Sequence, residues 1–130
     1  MIRLILYNFQ RKIHDLLKGN KDIKWGIYDY VPEVKRMPFI IIGEDFASPW
    51  NTKTWIGKQI TTTINFWSDQ RSMLEMKKMI GLVEDTLSID FEIGGFEYEH
   101  HETGDIEVKR ETEELIRGTI KLTYHGTKEV

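Results

Sequence analysis

The chain has 130 residues and no cysteine, and that one absence removes several kinds of chemistry. Without thiols there is no disulfide framework, no thiolate metal site, no cysteine nucleophile and no side-chain redox couple, which fits a reducing cytoplasm. Long apolar runs are also missing. Leu4 to Leu6 and Phe39 to Ile42 fall far short of the roughly 20 residues of a membrane helix, and Arg3 and Asn8 interrupt the start where a signal peptide would lie. A soluble chain without an evident export signal is expected, with no membrane contact. Positive charge is not in excess either. Eighteen basic residues against 21 acidic give −3, whereas a domain that neutralises phosphates carries a basic face, so no specific nucleic-acid binding is expected. No glycine-rich phosphate loop is present, because Gly94-Gly95 reads as a turn between strands.

What is there is a core. A hydrophobic fraction of 40% with 12% aromatics suits one folding unit of this length, expected over residues 1–126 with a short tail at 127–130. Ile2, Leu6, Phe9, Ile13 and Leu16 or Leu17 recur at helical spacing, predicting an amphipathic helix over Met1 to Lys18 that stops at Gly19-Asn20. Pro32 and Pro38 push Val31 and Met37 towards extended geometry and cannot donate to a ladder, so they punctuate two strands, Trp25 to Tyr30 and Phe39 to Gly43, as a hairpin or a neighbouring pair. Asp45 to Lys53 reads as a loop.

Thr54 to Trp67 alternates, with Ile56, Lys58, Ile60, Thr62, Ile64 and Phe66 towards the core. Trp55, Gly57, Gln59, Thr61, Thr63, Asn65 and Trp67 fall on the other face. Ser68 or Asp69 then caps a second helix with the stripe Met73, Met76, Ile80, Val83 and Leu87, and the smallness of Gly81 suggests close approach of another element. A hairpin with arms Phe96 to Thr103 and Ile106 to Lys109 turns at Gly104-Asp105. A last strand, Leu115 to Tyr124, buries Ile116, Gly118, Ile120, Leu122 and Tyr124. The fold class is α+β: a mostly antiparallel sheet of five to six strands with two helices packed on it.

Val31-Pro32, the strand Pro38-Phe39-Ile40-Ile41-Ile42-Gly43-Glu44, the Thr-rich strand ending Ile64-Asn65-Phe66-Trp67-Ser68 and the helix after it together resemble the tail-completion proteins of long-tailed bacteriophages, the tail terminators and head-to-tail joining proteins. The resemblance runs from the first helix to Tyr124. It implies a virion protein made and assembled in the bacterial host cytoplasm, forming a ring with itself, commonly of six, on the tail-tube protein and facing the head-tail connector protein. Six copies would carry about −18 in total, a charge that disfavours DNA sticking to a lumen. A connector component, or a small host hydrolase or ligand-binding protein, are the alternatives.

No catalytic, cofactor or metal residues emerge. His100 and His101 are adjacent on a strand and point to opposite faces, so they cannot share an ion without a bulge. Glu97, Glu99 and His101 share a face but suit a solvated edge that blocks sheet-to-sheet association. His14 and His125 could meet in space. Ser48, Ser68, Ser72 and Ser88 lack a nucleophile elbow, and the acids near Ser88 (Asp85, Asp90, Glu92) do not define a glycosidase pair. Protein-interface candidates remain. Phe46, Trp50 and Trp55 either fold back into cover or serve as anchors, the Thr61, Thr63 and Trp67 face either caps the core or meets a neighbour, and Glu99 and His101 sit on an acidic hairpin able to act as a docking arm.

Overall fold

The computed structural model describes residues 4–33, 36–69 and 71–129. In chain order these form α1 (Ile5–Gly19), β1 (Gly26–Tyr28), β2 (Phe39–Pro49), β3 (Trp55–Ser68), α2 (Met73–Leu87), β4 (Phe91–Ile93), β5 (Phe96–Thr112) and β6 (Leu115–Glu129). One six-stranded sheet runs in the order β1-β2-β3-β6-β5-β4. The β1–β2 pair is parallel and every other pair antiparallel. The α+β class expected from the sequence is the observed one.

Period-2 alternation sets the two faces of the sheet. Ile60, Ile64 and Phe66 of β3 and Ile116, Ile120, Leu122 and Tyr124 of β6 are fully buried, and both helices lay their apolar stripes on them. At the centre, Phe9 of α1 meets Phe91, Tyr98 and Tyr124 at ring separations of 6.1, 5.6 and 5.4 Å. The Tyr124 hydroxyl donates to the carbonyl of Leu87 at the end of α2, which satisfies a terminal carbonyl of that helix. Burial of this phenol pushes its pKa well above the usual tyrosine range. A polar exception on the buried face is Thr62, whose hydroxyl donates to Asp45 at 2.7 Å. Burial raises the Asp45 carboxyl, and the Thr62 bond partly offsets this.

Several boundaries differ from the sequence expectation. α1 begins at Ile5, and Ile2, expected in its stripe, lies outside the described residues. Leu6 is 43% exposed, while Phe9, Ile13 and Leu17 of the expected stripe are buried. Of the two arrangements expected for the first two strands the neighbouring pair is the observed one, β1 and β2 pairing in parallel over Gly26–Tyr28 and Phe39–Ile41. Residues 45–49, expected as loop, continue β2 past a bulge at Gly43, where φ is +111° and a register shift falls between Ile41 and Glu44. Glycine fits that left-handed position without strain. Ser68 is a buried residue of β3, so Ser72 caps α2 instead, accepting from the Leu74 amide at 3.1 Å.

Gly81 has open space where a Cβ would stand, so close approach is not its reason. Gly104-Asp105 is an irregularity within a continuous β5, and the turn comes at Glu113-Glu114. β6 runs on to Glu129 and takes in Thr127 to Glu129, which the sequence suggested as tail. β2, β5 and β6 outlast their periodic signals because a partner strand is available to pair with, and pairing satisfies backbone groups whatever the side chains are; β1 is shorter than expected, at Gly26–Tyr28.

Candidate functional site

With both helices on one face, no element among the described residues lies across the centre of the other face of the sheet. Threonine and asparagine make its middle: Thr61 and Thr123 hydroxyls lie 3.0 Å apart, and Thr119 donates to Asn65 at 3.0 Å. Thr61, Thr63 and Trp67 are half-buried here. Phe46 of β2 stands opposite Thr61 and is 71% exposed. It belongs to a shallow depression with Glu44, Asp45, Thr63 and Lys121, apart from the two tryptophans.

The β2–β3 loop folds back over the end of this face. Trp50 donates its amide to the Gly57 carbonyl at 2.9 Å, and the Gly57 amide donates to Asn51 Oδ1 at 2.9 Å. A Cβ at Gly57 would sit 2.2 Å from the Trp50 carbonyl oxygen, so only glycine lets the loop lie down here. The Trp50 indole thereby stacks on His125 at 3.9 Å with a 25° tilt, and Trp55 lies 6.3 Å from it. Trp50 and Trp55 still expose 37% and 36% of their surface. The loop thus covers the end of the sheet while leaving part of each indole exposed.

His125 is the hub. Its Nε2 lies 2.9 Å from Gln59 Oε1, and the His101 ring stacks on it at 4.3 Å. Glu99 is its register partner on β5. Trp50, Trp55, His125, Thr127, Glu97, Glu99, Asp90 and Glu92 border a hollow of about 450 Å³. The sequence named Trp50, Trp55, Glu99 and His101 but not this convergence; the odd-numbered outward set Thr119, Lys121, Thr123, extended two residues, would have placed His125 there. His14 does not meet His125, because α1 packs on the opposite face. His100 points back towards the Tyr124 ring at 5.5 Å while His101 faces outward, the opposition expected for neighbours on a strand.

Partial burial, then the nearby His101, lower the His125 pKa from its ordinary 6.5, while Glu99 and Glu102 oppose this. A base with a depressed folded pKa binds its proton in the unfolded chain first, so the stability present above the unfolded value of 6.5 is lost as pH falls through that value towards the folded pKa. Thermal melts from pH 7.5 to 5 should therefore fall less steeply for His125→Asn than for the wild type. Equal slopes would refute a role for this ring.

Among the described residues no three histidine or carboxylate groups are placed to hold a metal ion, and no described helix is long and apolar enough to cross a membrane. Fold and surface together define a small α+β protein whose threonine-rich face leaves Phe46, Trp50 and Trp55 exposed in whole or in part. The family profile described as Tail completion protein gp17 matches residues 11–124, and the chain belongs to that family. It is accordingly a tail-completion protein, a structural component of a phage-like virion and not an enzyme, which sets the host hydrolase alternative aside. A solved chain from "Virion of native gene transfer agent (GTA) particle" has the same fold, with a TM-score of 0.78 at 17% identity over 99% of this chain and 100% of that one. No curated protein matches.

Proposed function

We propose that this tail-completion subunit forms a ring, six-membered, on the last ring of the tail tube, ends tube growth there and offers a new face to the head-tail connector. The observation that carries this reading is the uncovered sheet face with Phe46, Trp50 and Trp55 exposed on it. Large aromatics standing out of a threonine-rich face suit protein contact, because they bury much area with few rotamers to freeze. A standard contact takes roughly 800 Å² from each partner, so two such contacts per subunit would cover about a fifth of the 8390 Å² that the chain exposes. The mechanism is steric: a closed ring of heterologous contacts occupies the tube end and leaves no site for another tube subunit.

The test is the triple variant Phe46→Ser, Trp50→Ser, Trp55→Ser in cells producing the particle. Loss of anchors worth about 2 kcal/mol each would weaken assembly by well over 100-fold. Electron micrographs should then show full heads beside unattached tails, some of abnormal length, while the purified variant stays folded. Complete particles at normal yield would overturn the reading.

A further inference from the structure

Charge is distributed very unevenly along this chain. From Asp90 to Glu114 there are ten acidic residues against Lys109 and Arg110, a net of −8. From Leu4 to Tyr28 the balance reverses, with Arg11, Lys12, Lys18, Lys21 and Lys24 against Asp15 and Asp22, a net of +3. The sheet order puts β4 and β5 at one edge and β1 at the other; α1 reaches β4 through Phe9 on Phe91, and Lys21 and Lys24 follow its end on the way into β1. Both edge strands are only three residues long, so β5 beyond Tyr98 and β2 beyond Ile41 have no described strand on their outer side.

We propose that copies of this chain meet head-to-tail, the acidic β4–β5 flank of one receiving the basic flank of the next, formed by the end of α1 and the turn into β1. This rests on the ring reading above and specifies its contact. Unlike surfaces on one chain are what a heterologous interface requires, and repeating the contact by rotation closes a ring.

The acidic side is built to take a cation. Glu97 and Glu99 line the same hollow as Trp50 and Trp55, and carboxylates together with indoles suit an ammonium or guanidinium group. On the other side Lys18, Lys21 and Lys24 are exposed. Among the described residues none of these five charged side chains has an ion-pair partner within its own chain. Complementary potentials of this kind select the partner and its orientation, and like flanks repel.

Carbodiimide, which joins a carboxylate directly to an amine in contact with it, tests this in purified particles. Multimers of this chain should yield peptides linking Lys18, Lys21 or Lys24 to Glu97 or Glu99, absent from the monomer band. Charge reversal gives the second arm. Glu97→Lys with Glu99→Lys, and separately Lys21→Glu with Lys24→Glu, should each lower complete particles about tenfold or more, and combining all four should recover most of the loss. Multimers linked only through other surfaces, or no recovery in the fourfold variant, would overturn the head-to-tail assignment and leave the ring standing. Particles in which the chain is never adjacent to another copy would bring down both.

Discussion

Truncating Phe9 to alanine is expected to lower the melting temperature by roughly 10–20 °C, the largest stability loss of any single truncation in α1. Phe9 is wholly buried and touches three aromatic rings from three strands. Phe→Ala in a close-packed interior costs about 3–5 kcal/mol, the transfer term plus the cavity left behind. For a domain of this size 1 kcal/mol moves the midpoint by about 3–5 °C. Neighbouring rings are poorly placed to fill the void, since Tyr124 is tied by its hydroxyl to Leu87 and Tyr98 packs over Gly126. Leu6→Ala, on the same helix but largely exposed, should cost under about 1 kcal/mol and serves as the control. A Phe9→Ala midpoint within a few degrees of the wild type would show that α1 is not anchored through this ring.

Gly57→Val should be destabilising by about 2–3 kcal/mol although strand propensity favours valine, so the sign of the effect decides between two accounts. On propensity alone a β-branched residue in the long strand β3 should help. The geometry says otherwise, because the new Cβ would meet a backbone oxygen, that of Trp50, at 2.2 Å, and a second, that of Gly126, at 3.2 Å. Backbone cannot swing aside like the tip of a lysine, so the loop must lift. Lifting it breaks the Trp50–Gly57 and Gly57–Asn51 hydrogen bonds and takes the indole off His125. Urea unfolding measures the stability change, and the tryptophan emission of the folded variant should shift to longer wavelength as Trp50 enters water. Particle yield should fall as well, since the lifted loop no longer presents its two indoles together. Unchanged stability and emission would mean that the loop does not lie on Gly57.

The helix stripes and the two faces of β3 and β6 were legible in the sequence because they follow from one period each. Ile60, Ile64 and Phe66, or Met76, Ile80, Val83 and Leu87, need only to be counted to be placed inside. Family membership was legible for a related reason, since the strand and helix signatures that carried the resemblance are local. Strand ends were not. Residues 45–49 look like loop because Ser48-Pro49 follows a charged pair, yet they pair with β3 from Thr62 to Lys58. Gly104-Asp105 carries a turn signal, yet β6 offers a continuous partner across it and the signal is absorbed as an irregularity. Leu6 shows the same limit on a helix: the expected stripe is buried at Phe9, Ile13 and Leu17, while Leu6, in the first turn, stays 43% exposed.

The sequence by itself determined that this chain has no thiol chemistry, a core for an α+β sheet, and two stretches of opposite charge. Those are properties of composition and of periods a few residues long, which no tertiary contact can alter. Tertiary structure alone decided that Trp50 meets His125, that Glu97 and Glu99 share a hollow with Trp50 and Trp55, and that β1 and the acidic β4–β5 pair stand at opposite edges of one sheet. Each of these joins residues far apart in the chain, through strand order and a glycine that lets two backbones touch, and neither is written in any local pattern.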